Sequence, residues 1–265
     1  MNYSKIIVAA LLTLAMTATA SAEVPQDPIH YYELDEGSGT TLNDEFGNTD
    51  LTGNDASLSD GWAQADGETL YEWNSQTDSE NTYFENLSFP EDNLQSGEYT
   101  IIFRASQASG SNNRPMLDLN SDTCGYAGYG WADSDDARFD TRSCDETRYT
   151  PEGGVTAADG SLKVLGFQRD SGSFETYVDG NFQASTSVSA TNWDSYDQFK
   201  FGDWSSQYHG APDGYWDYIA IYDYALTDSE IQEFGDDPSL FNSDPSIDSV
   251  STDPSEWAFN ESIDV

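Results

Sequence analysis

Positive charge is what this chain most lacks. It carries 9 Lys and Arg against 49 Asp and Glu, a formal charge of −40. Without a basic patch there is nothing to meet phosphates, so binding of nucleic acid or of an anionic membrane surface is excluded. Histidine is almost absent as well. With only His30 and His209, and two cysteines, a zinc centre lacks ligands. After the first 22 residues there is no further long apolar run, so membrane insertion is not expected. No Gly-x-Ser-x-Gly elbow and no phosphate-binding loop occurs.

What is present begins with an export signal. Residues 1–22 have one cation, Lys5, an apolar core from Ile6 to Met16, and Ala20-Ser21-Ala22 before Glu23. That is the layout of a secretory signal peptide, and the apolar part is too short to span a bilayer. Removing it leaves 8 cations and 49 anions, 8 − 49 = −41, with Lys163 and Lys200 the only lysines. So even a coat of carboxylates repels itself in dilute buffer, whereas at about 1 M salt the screening length falls to roughly 3 Å. The composition therefore reads as adaptation to concentrated salt; an ordinary acidic secreted protein, or one whose carboxylates hold calcium, is the alternative.

Aromatic residues make up 14% of the chain, enough for a core and against wholesale disorder. From Pro25 onward, short apolar-alternating runs are separated by Gly, Asn, Asp and Ser. They predict strands over Ile29–Leu34, Thr69–Trp73, Thr82–Leu87, Tyr99–Ala105, Pro115–Leu119, Ala137–Thr141, Ser161–Arg169, Phe174–Val178, Gln198–Phe201 and Trp216–Tyr222. Asp179-Gly180 is a two-residue hairpin signal, because type I′ turns need positive φ. Many short strands and no long helical pattern predict an all-β fold, a two-sheet antiparallel sandwich.

The chain is organised around Gly214 to Phe234. Its first half alternates, with Trp216, Tyr218, Ala220 and Tyr222 on one side and Asp217, Ile219, Ile221 and Asp223 on the other. Thr227 and Glu230 then form a capping box that opens a short helix, with Ile231 and Phe234 as its apolar face and Gly235 as its stop. This stretch resembles the closing strand of laminin-G-like (concanavalin A-like) jelly-roll domains. Tyr31 to Asn48 resembles the opening strand and loop of that family, and Glu175 to Asn181 its Tyr-Val-Asp-Gly hairpin. The three come in the family's order across about residues 30–234. One departure is that Leu162 to Phe167 stands where the family has a strand with two histidines. The expected organisation is a signal peptide (1–22), a jelly roll (23–235) with a short helix after its last strand, and an acidic, disordered tail (236–265).

The resemblance also implies a structural calcium for many members. Here it would use the side chains of Asp44 and Asp217 with carbonyls of the turn through Gly47 and Asn48. The alternative is that Asp44 and Asn48 cap the turn by bonding their own backbone while Asp217 is a surface acid. Cys124 and Cys144, an even pair in an exported chain, are expected to form one disulfide.

Catalysis is not expected. Glu33 to Glu36 and Asp133 to Asp136 come nearest to a carboxylate pair on one strand face, but the resemblance puts the first at a structural strand end and the second reads as part of a loop. Carbohydrate binding is the expected activity, with a surface protein as the second class of partner. Two loops carry the mix of aromatics and hydrogen-bonding groups it needs: Tyr126 to Arg138, with Tyr129 and Trp131, and Asp203 to Tyr215, with Trp204, Tyr208 and His209. Arg138, Arg142 and Arg148 cluster near the cysteine loop, either to meet an anionic sugar or to neutralise nearby aspartates. A structural coat or spike component and a polysaccharide-cleaving enzyme are the rival readings.

Overall fold

In the computed structural model, the described residues run from 25 to 240, apart from 66, 74–81, 90–93, 95–96, 107–114, 121–125, 132–135, 146, 152–154, 157–159, 190–195, 203–213 and 238–239. For residues 115, 116, 126, 129–131, 136–138, 148, 155 and 156 the backbone alone is described. The strands in chain order are β1 (His30–Tyr32), β2 (Thr41–Leu42), β3 (Leu51–Gly53), β4 (Trp62–Ala65), β5 (Glu68–Trp73), β6 (Phe84–Asn86), β7 (Tyr99–Ala105), β8 (Pro115–Asn120) and β9 (Tyr126–Trp131). They continue with β10 (Asp136–Arg142), β11 (Arg148–Tyr149), β12 (Val155–Thr156), β13 (Lys163–Asp170), β14 (Ser173–Val178), β15 (Asn181–Ser187), β16 (Gln198–Phe201) and β17 (Gly214–Tyr222). A 3₁₀ turn covers Ala56–Asp60 and one helix, α1, covers Asp228–Asp236.

These strands make two antiparallel sheets. The first has the order β15-β14-β13-β7-β17-β5-β4, with β1 also on β17; the second runs β11-β10-β9-β8-β16-β6-β3-β2, with β12 on β10. Facing residues fill the space between them. Ile101, Phe103, Leu165, Phe167, Ile219 and Ile221 of the first sheet share a core with Phe84, Leu117, Leu119, Phe139, Phe199 and Phe201 of the second. All ten predicted strands are present, in places a residue or two longer or shorter. Seven others carry no strong alternation, among them β9, whose Gly-rich sequence reads as a loop, and β15.

Strand β17 lies inside its sheet and is buried on both faces. One edge pairs with β7, and the other is shared by β5 near its start and β1 near its end. The simple alternation expected for it breaks at one point. A register irregularity between Trp216 and Tyr218 turns Trp216 to the inner core with Ile219 and Ile221, while Tyr218, Ala220 and Tyr222 face outward. A bulge of this kind inserts one residue and re-aims the side chain it carries, here Asp217.

The outward side of the first sheet is a second apolar core. Tyr31, Ile102, Val164, Tyr177, Tyr218, Ala220 and Tyr222 pack against Leu226, Ile231 and Phe234 of the corner and α1. The capping box forms as expected: Glu230 N–H donates to Thr227 Oγ1 at 3.3 Å and Thr227 N–H to Glu230 Oε2 at 2.7 Å. Gly235 does not end the helix, which runs on to Asp236. Its role is close approach. A Cβ at Gly235 would lie 2.5 Å from the Asp179 carbonyl, and one at Gly180 would lie 2.8 Å from Gln232 Cα. The helix thus rests directly on the β14–β15 turn, where Asp179 (φ 46°) and Gly180 (φ 74°) have the two positive φ angles of a type I′ hairpin.

Candidate functional site

The outer side of the second sheet is of the opposite character. In β8, β10 and β16 the sequence alternates Leu117-Asp118-Leu119, Phe139-Asp140-Thr141 and Phe199-Lys200-Phe201, with the apolar members turned to the core. Residues directly opposite one another in a sheet share a face. Lys200 lies opposite both Glu85 and Asp118, and Gly128 lies opposite both Asp118 and Asp140. A row Glu85–Lys200–Asp118–Gly128–Asp140 therefore crosses five strands. Beside it runs a second row, in which Gln198 pairs with Asn120, Asn120 with Tyr126, Tyr126 with Arg142, and Arg142 with Arg148.

Asp118 and Asp140 are 0% and 5% exposed, so they form the floor of this face. They stand two strand spacings apart, roughly 10 Å, with Gly128 contributing no side chain between them. Asn120 Nδ2 reaches Asp118 Oδ2 at 3.4 Å, and Thr150 Oγ1 donates to Asp140 Oδ1 at 3.2 Å. Around that floor, Lys200, Gln198, Asn120, Arg142 and Glu85 are partly exposed. Lys200 Nζ is 3.7 Å from Glu85 Oε2 and 4.8 Å from the Tyr83 ring centroid. A chain poor in cations thus places Lys200 and Arg142 among amides and carboxylates on one polar surface, an array suited to donating and accepting hydrogen bonds with hydroxyl groups.

The residues predicted for binding divide in two. Tyr126, Tyr129 and Trp131 belong to β9 and Arg138 to β10, so this segment is sheet and not loop. Position 126 is in the second polar row. Position 138 pairs with Gly130 and keeps the parity of Asp140, whereas position 129 lies opposite Leu117 and Phe139, both core residues. Trp204, Tyr208 and His209 lie outside the described residues, as does Cys124; Cys144 is on the turn after β10. The residues that sequence reading missed are Asp118, Asp140 and Lys200. The signal was available for two of them: Asp118 and Lys200 are each a lone polar residue between two core residues, whereas Asp140 stands between Phe139 and the buried but polar Thr141.

The expected metal ligands are taken up differently. Asp44 Oδ1 accepts from Tyr31 N–H at 3.1 Å and Gly47 N–H at 2.9 Å, and Oδ2 accepts from Thr49 N–H at 3.2 Å. His30 Nδ1, 3% exposed, stands 2.6 Å from the same Oδ2. A Cβ on Gly47 would fall inside that carboxylate, which is why glycine occupies the turn. Burial works to raise the Asp44 carboxyl, but the bonds from His30, Gly47 and Tyr31 outweigh it and hold it below its ordinary value. Asn48 is exposed.

Asp217 is no surface acid. It is 1% exposed, and Arg104 Nη1 of β7 bonds its Oδ2 at 2.6 Å and Glu68 Oε2 of β5 at 3.0 Å. Burial opposes the charge on Arg104, and Asp217 and then Glu68 more than restore it. Calcium needs six to eight free oxygens. The lone pairs of Asp44 are met by four protein groups and Asp217 is tied to a guanidinium, so these residues as arranged do not fit the ion. Among the described residues no three His, Cys, Asp or Glu converge as metal ligands, and no helix is long and apolar enough to cross a membrane.

Near β1 five acids crowd together. Burial, then Asp35, Glu45, Asp217 and Glu36, pushes the Glu33 carboxyl up to about 7. Burial likewise pushes Glu36 up to about 7, although the Asn43 N–H bonds its Oε1 at 2.6 Å.

Solved structures share this architecture. The binding domain of botulinum neurotoxin serotype D matches with a TM-score of 0.61 and 10% identity, over 79% of this chain and 51% of that one. Domain 4 of AbnA, an extracellular arabinanase of Geobacillus stearothermophilus solved with arabinotriose, matches at 0.58 and 16%, over 79% of this chain and 98% of that one. Trypanosoma rangeli sialidase matches at 0.55 and 12%, over 80% and 33%. The chain thus spans about half of the toxin domain and a third of the sialidase. No protein of curated function matches in sequence. Residues 78–232, more than half of the chain, match a family profile, and the chain belongs to the concanavalin A-like lectin/glucanases superfamily.

Proposed function

We propose that this protein is a secreted, non-catalytic recognition module that binds carbohydrate through the outer face of its second sheet. One observation carries the reading: the first sheet's outer face is closed by α1, while the second presents the polar rows around Asp118, Asp140 and Lys200. Partly exposed Lys200, Gln198, Asn120 and Arg142 stand on strands of this one face and are polar side chains of the kind that meet sugar hydroxyls. The arabinotriose-bound AbnA domain, similar in fold along nearly its whole length, supports this ligand class. Export rests on residues 1–22 and salt adaptation on the acid coat. A Cys124–Cys144 bridge, closing a loop of about 20 residues, would stabilise it by roughly 3 kcal/mol. Calcium is not carried into the proposal, because Asp44 and Asp217 are engaged by protein groups.

The test is a glycan-array screen of residues 23–265 in molar NaCl, with arabinan and sialylated oligosaccharides included, in calcium and in EDTA. Selective binding that survives EDTA and is lost in a folded Lys200→Ala variant is expected. A blank array from folded protein, or binding indifferent to substitution of Lys200, Asn120 and Arg142, would overturn the assignment.

A further inference from the structure

From Gly180 to Trp193 no residue is charged, the longest such run after residue 22 in a chain with 49 acids. The structure places its first half at a sheet border. Strand β15 pairs with β14 on one side, and among the described residues no strand pairs with the other. Native proteins ordinarily guard such edges with charged side chains, proline or a covering element. Here Asn181, Phe182, Gln183, Ser185 and Ser187 are exposed and uncharged, Phe182 by 54%. The guards are a register irregularity opposite Thr176 and Tyr177, and α1 against the turn at Gly180. Neither reaches Ala184–Ser187.

We propose that this edge is a self-association surface, on which β15 of a second copy pairs antiparallel about a two-fold axis. Charge selects the occupant. A cationic partner would be drawn to the carboxylates that cover the remainder of the chain. A second copy repels nearly everywhere and can bring its backbone close only where neither chain carries charge.

The hydrogen-bond phase fits such pairing. Val188 N–H donates to the Gly172 carbonyl at 2.6 Å, so its backbone groups point into the sheet. Strand residues alternate, which turns the N–H and C=O of Ser187 and Ser185 outward. With Thr186 on the two-fold axis, Ser185 of each copy meets Ser187 of the other, giving four backbone hydrogen bonds and one continuous sheet through both molecules.

Sedimentation equilibrium of residues 23–265 in molar NaCl and in dilute buffer tests this. A concentration-dependent dimer is expected, stronger in high salt. Ser185→Pro removes an outward donor in each copy without touching the inner ladder. Losing two of four bonds weakens the dimer roughly tenfold or more while circular dichroism stays unchanged. Should proline disturb the fold, Ser185→Asp sets like charges near the axis and weakens the dimer most in dilute buffer. A protein monomeric at all concentrations and salts, or a dimer that both folded variants leave intact, would overturn the proposal.

Discussion

The two sheets of this molecule treat their outer faces in opposite ways. On the first, alternate residues of β7, β13 and β17 are apolar on both sides, and the outward set is sealed by Ile231 and Phe234 of α1. On the second, the outward set is Asp, Lys, Asn and Gln, and the one described helix lies on the other side of the sandwich. A residue on the first outer face answers to packing, and a partly exposed one on the second, such as Lys200, to solvent or ligand, so the two should respond differently to substitution.

The largest effect is expected from Phe234→Ala. It opens a cavity under the helix and should cost about 3–5 kcal/mol in urea unfolding, while the folded fraction still binds ligand. Next comes Arg104→Met, which leaves Asp217 buried without its partner beneath that sealed face. A loss of about 3 kcal/mol is expected, and Arg104→Met with Asp217→Leu should recover most of it. If both substitutions proved neutral, the first sheet would not be the closed side. Lys200→Ala reverses the pattern: a stability change under about 1 kcal/mol, as for other partly exposed ion pairs, with a tenfold or greater loss of sugar affinity by titration calorimetry.

The smallest effect concerns pH. Glu33 and Glu36 have folded-state values raised to about 7. Between their ordinary values and 7 the folded state therefore binds more protons than the unfolded one. Stability should fall as pH rises through that window. Asp44, held low, contributes above its ordinary value and is lost only in stronger acid. Thermal unfolding should thus be highest on the acid side of neutrality, and Glu36→Gln should flatten the slope between pH 5 and 7.

Much of the fold was legible because its central strands bury one or both faces. Tyr99–Ala105 and Gln198–Phe201 emerge with the same bounds in sequence and structure. β9 did not, because glycines inside a sheet are tolerated when neighbours on both sides supply the hydrogen bonds, and alone they read as a loop. β15 did not, because an exposed edge has no core to impose alternation. The face of Trp216 was misjudged because a bulge shifts the period by one. Nor could sequence show that Asp217 meets Arg104, 113 residues away, or that His30 rather than a metal answers Asp44.

The placement of β1 also governs when the protein can fold. His30, Tyr31 and Tyr32 find their strand partners only at Ile221, Ala220 and Ile219, almost the full domain away. No early local structure can satisfy that segment, and loop closure over such a span makes this pairing a late event. The emerging chain is therefore kept from completing its sandwich until nearly all of it has been made.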